Sequence, residues 1–290
     1  MAKENITDAY AGKELGSLKF EASDRMLSDY FLGLRLDKTI YEPGGIYSNS
    51  IVPSMILTNV DGGFSGSGFS DDFGNLWIRQ QWELNSPIQL DQIYEKTSHI
   101  VDVYDWRDRR VVQQEVKLRS GNGDVIARGV HHQSYLLGKR GTGNVKLRVP
   151  SEKGGARKFI IPQGESIGTL ERKIDLEMCG TFFHGNENYH TSESAAHQLG
   201  FEKVVVGGRM TMSLIGALLD QRFGRAWFEG GQLDIKFVNI VWPGDTVTAR
   251  GIITDRIEEA DGTRVNLSVW LERLDGTPCI VGTASALEKN

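Results

Sequence analysis

Two segments of the chain repeat one pattern of alternating strands, and this repeat constrains the fold more than any other feature. The first segment begins at Trp82 and the second at Phe237. In each, a long run of alternating polar and apolar residues leads through a charged turn into a second such run. A Gly-containing turn and a third run with an internal glycine complete the unit. Alternation with a period of two, broken by Gly/Asp turns, predicts an antiparallel meander, and its recurrence predicts a duplication.

The two segments align with only short gaps. Pro87 matches Pro243, and Gly129 matches Gly282. The second strand of each unit is predicted over the following residues: 111–118 in the first segment and 264–271 in the second. The sequence therefore predicts two sheets of similar connectivity in one chain.

Helices are predicted more clearly in the second half than in the first. Over residues 207–224, apolar residues recur at spacings of three and four, and Gly224 ends the run. A shorter helix is predicted over residues 192–200, ended by Gly200. In the first half the matching place reads SNSIVPSMILTNVDGG, where Pro53 interrupts a short apolar run, so a helix there is expected to be short or distorted.

A segment rich in glycine, lysine and arginine separates the repeats. Residues 138–159 read GKRGTGNVKLRVPSEKGGARKF, with few large apolar residues, which is typical of a linker. We predict an N-terminal domain over residues 1–140, a linker over 141–165 and a C-terminal domain over 166–290.

Composition narrows the classes of partner. Hydrophobic residues make up 39% of the chain and charged residues 24%, with a net charge of −5. Charges of both signs are mixed without a long basic run, which argues against nucleic acid or an anionic membrane as a partner. The chain contains no apolar run of about 18 residues and no signal-peptide pattern, so no membrane helix is expected. Two cysteines are too few for a disulfide scaffold, and a cytoplasmic location is expected.

The loop that precedes the predicted helices carries a family resemblance. Residues 184–190 read HGNENYH, followed by Gly200-Phe201, then VVVGGRM at 204–210, then Phe237 and the Pro-Gly-Asp at 243–245. This order resembles the MaoC-like (R)-specific enoyl-CoA hydratases and dehydratases, in which a loop G-D-x-N-P-x-H precedes a short helix and a glycine leads into the long helix. The first half more weakly resembles the degenerate N-terminal hotdog of double-hotdog members.

The resemblance implies an α+β double hotdog, two antiparallel sheets each wrapped on a central helix, with the site in the C-terminal half. It also implies a substrate that is an enoyl or 3-hydroxyacyl thioester of CoA. A weakened first-half helix would leave room beneath the sheet. In double-hotdog relatives that room holds the acyl group, so the resemblance implies a bulky or branched acyl group here. Homodimers or heteromers are expected. Because the thioester already acidifies C2, no metal or redox cofactor is expected.

Site residues follow from the same resemblance. His190 matches the family histidine, which moves the proton of the attacking water as general base or acid. Gly208 matches the glycine whose N–H stabilises the thioester oxyanion at a helix N-terminus, with Gly207 beside it. Arg209 is a candidate for binding a carboxylate or phosphate of the substrate, or for a surface salt bridge.

The loop departs from the family pattern, because it is one residue shorter and lacks the proline. With a gap at that point, Asn186 replaces the catalytic aspartate and Asn188 keeps the asparagine place. Without a gap, Gly185 falls on the aspartate and Glu187 on the asparagine. An amide can orient water or a substrate hydroxyl but cannot accept a proton near neutral pH. Asn186, Asn188 and Glu187 therefore remain candidates for catalysis or substrate binding.

His184 is either a second acid/base or a surface histidine. His131 and His132 adjoin on a strand, face opposite sides and lack a third ligand, which argues against zinc.

The missing aspartate leaves two rival functions open: a hotdog acyl-CoA thioesterase using Glu187 or Glu193, and a non-catalytic thioester-binding subunit of a heteromeric hydratase.

Overall fold

The computed structural model describes residues 8–70, 72–137 and 159–289. Strands in this part of the chain are, in order, β1 (Glu14–Glu21), β2 (Leu76–Leu84), β3 (Ile93–Trp106), β4 (Arg109–Arg119), β5 (Val125–Leu136), β6 (Glu165–Lys173), β7 (Gln232–Phe237), β8 (Thr246–Glu259), β9 (Gly262–Arg273) and β10 (Pro278–Lys289). The α-helices are α1 (Asp24–Leu34), α2 (Leu176–Phe182), α3 (Glu193–Gln198), α4 (Gly208–Phe223) and α5 (Arg225–Phe228), with 3-10 helices at Thr39–Tyr41 and Ser54–Asn59.

The predicted duplication is confirmed. β3, β4 and β5 form one antiparallel meander, and β8, β9 and β10 form the other. The long first strand of each has a register shift at a matching place, between Ile100 and Asp102 in β3 and between Ile253 and Asp255 in β8. The two internal glycines also correspond. A Cβ at Gly129 would enter the ring of Trp82, and a Cβ at Gly282 would strike the backbone of the paired strand β7.

The strands form one sheet, so the expectation of two separate sheets is wrong. The order is β1-β3-β4-β5-β2-β7-β10-β9-β8-β6. β2 and β7 join the halves at the centre, with Trp82 opposite Leu233 and an ion pair between Arg79 and Asp234 across the seam. The pairing satisfies backbone groups that would otherwise lie at two open edges, which physically favours a shared sheet.

Helix α4 lies where the apolar periodicity predicts it. It contacts β6, β8, β9 and β10, and most of its side chains are buried, so it belongs to the core rather than to a surface. Directly after Pro53, the first half has only the 3-10 helix Ser54–Asn59, as the proline predicts. Met55 of this helix packs so closely on Gly216 of α4 that a Cβ at Gly216 would overlap it. The short helix therefore packs directly on α4 and forms part of the core.

Three α-helices, α1, α2 and the short α5, were not predicted from the sequence. α1 packs on α2, and Gly33 of α1 lies against Phe182 of α2, where a Cβ would come within 2.7 Å of that residue.

The main buried cluster is continuous between the halves and includes Trp82 from the first and Trp227 from the second. None of the described helices is long and apolar enough to cross a membrane. Residues 141–158 of the predicted linker lie outside the described residues, and the domain boundaries remain a prediction.

Candidate active site

A cavity of about 460 Å³ lies between the two halves and takes its walls from both. The C-terminal half contributes the N-terminus of α4 and the loop before α3, including Phe183, Asn188, Tyr189, His190, Gly208 and Arg209. The N-terminal half contributes β2, β4, β5 and the turn after the Ser54–Asn59 helix, including Asp61, Gly62, Trp77, Gln114, His131 and Gln133. The structure thus brings four of the residues predicted from sequence into one cavity: Asn188, His190, Gly208 and Arg209.

His190 is held in one tautomer. Its Nδ1 lies 2.8 Å from the carbonyl oxygen of Val205, which can only accept, so Nδ1 carries the proton and Nε2 keeps its lone pair. The ring stacks on Phe183, with centroids 4.7 Å apart and an interplanar angle of 17°. Burial lowers the pKa of His190 to about 4, and the nearby positive charge of Arg209 also lowers it. The imidazole is therefore a neutral proton acceptor at ordinary pH.

The two glycines before α4 fit into tight spaces. Gly207 is the N-cap, and a Cβ on it would overlap the ring of Phe183 and lie 3.6 Å from His190. A Cβ on Gly208 would lie 2.8 Å from Trp77 and 3.1 Å from Phe237. The N–H of Gly208 opens the helix, where intrahelical acceptors are lacking, and within the described residues no other group accepts it. It is thus free to donate into the cavity.

Asn188 organises the loop. Its Oδ1 accepts the backbone N–H of His190 at 2.8 Å, its Nδ2 donates to the carbonyl oxygen of Asn186, and its own N–H donates to Thr191 Oγ1. These bonds fix the turn that presents His190 to the cavity. The Asn188 side chain is therefore already engaged by the protein.

Asn186, Glu187 and Gly207 lie outside the cavity lining. Asn186 and Glu187 are exposed, and Glu187 Oε1 accepts a hydrogen bond of 2.9 Å from Ser192, the N-cap of α3. The shortened loop turns both side chains towards solvent while Asn188 and His190 face inward. The structure thus does not bring an amide from Asn186 or a carboxylate from Glu187 to the site.

His184 also lies elsewhere, because its Nδ1 is 2.7 Å from Asp29 Oδ2 on α1. The pair joins the end of α2 to α1. Within the described residues, no cluster of His, Cys, Asp and Glu is arranged to hold a metal ion.

Arg209 extends from α4 towards the N-terminal half. Its Nη1 donates to Asn59 Oδ1 at 3.2 Å, and Nη2 lies 3.1 Å from where a Cβ of Gly62 would stand. In the described parts of the chain, no carboxylate forms an ion pair with the guanidinium. Most of its five N–H donors are therefore available to an anion in the cavity.

Asp61 and His131 form a pair that the sequence did not reveal as a site. Asp61 Oδ2 lies 3.0 Å from His131 Nδ1, and His131 Nε2 lies 3.0 Å from Gln133 Oε1. The His131 ring also stacks on Trp77 at 4.7 Å. His131 faces the cavity whereas His132 is buried on the other face of β5, as strand alternation predicts. Asp61 follows the irregular 3-10 helix, where no periodic pattern indicates which way a side chain points.

Residues 164–269 match the family model of the MaoC like domain, and this range contains the loop, α3 and α4. The C-terminal half of the chain is a MaoC-like domain. No curated protein matches the chain.

Solved structures extend the likeness to the whole chain. A MaoC-like dehydratase superposes with a TM-score of 0.73 at 11% identity, covering 96% of this chain and 98% of that one. A putative MaoC domain protein dehydratase from Chloroflexus aurantiacus J-10-fl gives 0.70 at 12% identity, covering 100% and 99%. A conserved hypothetical protein from Mycobacterium tuberculosis, described as having a double hotdog fold, gives 0.62 at 10%, covering 96% of each chain. At these identities the likeness shows the fold, and that fold is of the double-hotdog type.

Proposed function

We propose that the chain is a hydro-lyase that hydrates an enoyl thioester, or dehydrates a 3-hydroxyacyl thioester, with CoA as the thiol. The observation that carries the proposal is the arrangement of two groups in one cavity. The free N–H of Gly208 opens the long helix α4, and the unprotonated Nε2 of His190 lies on the adjoining wall. The match of residues 164–269 to the MaoC like domain supports the same reaction class.

The Gly208 N–H suits the thioester oxygen. When water adds to C3, the electron pair of the C2–C3 double bond moves through C2 to this oxygen, which gains negative charge. A backbone donor at a helix N-terminus stabilises that charge, because the helix dipole is positive there and the donor is already fixed in place. A Cβ at Gly208 would collide with Trp77, so only glycine fits at this position without a shift of its neighbours.

His190 suits the proton transfer. Its Nε2 accepts a proton from water as the oxygen–C3 bond forms, and the resulting imidazolium returns a proton to C2, so H and OH add in total. Val205 accepts from Nδ1 and stabilises the imidazolium that forms. The chemistry uses no redox step and needs no metal. Asn186 and Glu187 have no part in the proposed mechanism, because both are exposed outside the cavity.

The experiment is an assay of the purified protein with a panel of enoyl-CoA esters, following loss of the conjugated double-bond absorbance together with release of free thiol. Hydration without thiol release is expected. His190→Ala should lower kcat by roughly 10²- to 10⁴-fold, the usual worth of a general base. His197→Ala serves as control, because His197 lies on α3 and hydrogen-bonds the carbonyl of Glu202 away from the cavity.

Other results would point to the rival functions. Thiol release would indicate a thioesterase. Absence of both reactions, with CoA esters raising the melting temperature, would indicate a binding subunit. Hydration by His190→Ala at the parental rate would refute the assignment of the base.

A further inference from the structure

The wall that the N-terminal half gives to the cavity is polar. It presents Asp61, Gln114, His131 and Gln133, all on or beside strands β4 and β5. Gln114 Nε2 donates both to Ser98 Oγ and to the backbone carbonyl oxygen of Asp61. A plain alkyl chain against this wall would remove water from the polar atoms that these protein hydrogen bonds leave unengaged, which is costly. The wall therefore suits an acyl group that carries a polar substituent.

Positive charge predominates beside this wall. The guanidinium of Arg209 lines the cavity. The ammonium of Lys96 donates to the carbonyl oxygen of Gly62, another residue of the lining, at 2.6 Å. Asp61 is the one acidic residue of the cavity lining within the described chain, and its Oδ2 is engaged by His131. Two fixed cations thus face one carboxylate that already has a partner. A half-buried guanidinium without an ion pair gains from an incoming anion.

The position of Arg209 indicates which part of the substrate brings that anion. Its guanidinium points towards Asn59 and Gly62, whose neighbours Thr58 and Asp61 are buried in the protein. The phosphates of CoA are large and strongly hydrated, and they fit the mouth of a cavity rather than an inner wall. Arg209 also directly follows Gly208, so the two can bind both ends of a short acyl group.

We infer that the acyl group of the substrate carries a carboxylate, which Arg209 binds while the thioester oxygen accepts the N–H of Gly208. The inference rests on the proposed thioester function and names its substrate class as monothioesters of dicarboxylic acids. Asn59 holds the guanidinium of Arg209 in position. Because the carboxylate of Asp61 is paired with His131, it does not compete with the substrate for Arg209.

Binding tests the inference without requiring turnover. The dissociation constants of glutaryl-CoA and valeryl-CoA are measured by calorimetry; the two acyl chains match in length, and only the first ends in a carboxylate. The parent protein is expected to bind glutaryl-CoA roughly 10- to 100-fold more tightly, as charge-assisted hydrogen bonds allow. Arg209→Met should abolish this preference. Arg209→Lys should retain part of it, since lysine supplies charge without the planar fork of donors.

Turnover gives a second readout. Glutaconyl-CoA should be hydrated with a higher kcat/KM than pentenoyl-CoA, and Arg209→Met should lower the ratio to near one. Arg107→Met is the control, because Arg107 is exposed at the β3–β4 hairpin over Trp106 and should change neither ratio. The same acyl pairs as N-acetylcysteamine thioesters, which lack the CoA phosphates, should show the same preference.

The failures are distinguishable. Equal binding of the two saturated esters by the parent protein would overturn the inference. So would an Arg209→Met variant that loses affinity for both esters and for free CoA alike, since Arg209 would then bind a phosphate. If glutaryl-CoA is preferred but neither enoyl ester is hydrated, the carboxylate site stands and the proposed reaction fails.

Discussion

The ring of Trp77 stacks on that of His131 with centroids 4.7 Å apart, and Trp77 also lies against the Cα of Gly208. Through this one side chain, the Asp61–His131 pair of the N-terminal half rests on the proposed oxyanion site of the C-terminal half. Trp77 is itself fixed, because its Nε1 donates to the carbonyl oxygen of Arg79 at 3.0 Å. The two halves therefore form one site rather than two neighbouring ones.

Gly208→Ala should impair catalysis without unfolding the protein. The new Cβ would stand 2.8 Å from Trp77, so the tryptophan or the start of α4 must shift. Alanine suits the helix itself, and we expect kcat for hydration to fall by about 10-fold or more, because a small displacement of the donor is costly. Gly180→Ala in α2 is the control, since no atom lies within 4 Å of its added Cβ. Equal activity of the two variants would argue against Gly208 as the donor.

The pH dependence of hydration should reflect the burial of His190. Burial lowers its pKa to about 4, so the imidazole stays a neutral base well below the range in which an exposed histidine titrates. We expect kcat/KM to remain level as the pH falls from about 8 to about 5, and to decline only below that. A decline centred near pH 6.5, the ordinary value for histidine, would contradict this account of the base.

Asp220 should make the fold less stable as pH rises. It is fully buried on α4, where Tyr41 and the N–H of Ser54 donate to Oδ2, and burial raises its pKa from 3.8 to about 6. The folded protein therefore keeps the proton on this carboxyl up to a higher pH than the unfolded chain does. The resulting contribution to the free energy of unfolding is fully present below pH 3.8 and is lost as the pH rises through about 6.

Asp220→Asn removes this titration. The free energy of unfolding of the variant should rise relative to the parent by up to about 3 kcal/mol between about pH 4 and 7, which follows from two pKa units. Urea unfolding of both proteins across this range measures it. A constant difference between the two would show that Asp220 keeps its charge in the folded state.

Asp61→Asn should lower stability and raise the affinity for an anionic acyl group. The substitution removes the charge that pairs with His131 but keeps the size of the side chain, and we expect a loss of about 1 to 3 kcal/mol in urea unfolding. With that negative charge gone, the repulsion between Asp61 and an incoming carboxylate disappears, so glutaryl-CoA should bind more tightly relative to valeryl-CoA. A weaker relative affinity would instead indicate that Asp61 itself contacts the acyl group.

Sequence periodicity was sufficient to predict the two meanders and helix α4. Alternation and paired glycines predicted both meanders, and the spacing of apolar residues predicted α4, because each pattern reports which face of an element is buried. The joining of the halves through β2 and β7 could not be predicted, since pairing between distant strands leaves no local pattern. Helix α2 has only 7 residues after its Asp175 N-cap and is too short for its periodicity to be distinctive.

The site was predicted in part for a similar reason. His190, Gly208 and Arg209 belong to a local motif at the start of a helix, and the motif could be read directly. Asn186 and Glu187 belong to the same loop, but one missing residue decides which side chains face inward, and the sequence leaves that choice open. Asp61 and His131 are 70 positions apart and meet only because Asp61 follows an irregular turn packed on β5.

The seam between β2 and β7 has a consequence for how such a protein can change. In a pair of identical hotdog chains related by a two-fold axis, every substitution appears on both walls of each cavity. Here one chain supplies both walls, so the surface around Asp61 and His131 can vary while the loop that holds His190 stays as it is. Covalent linkage thus releases substrate selection from the constraints on catalysis, and the two tasks can evolve on opposite sides of the same cavity.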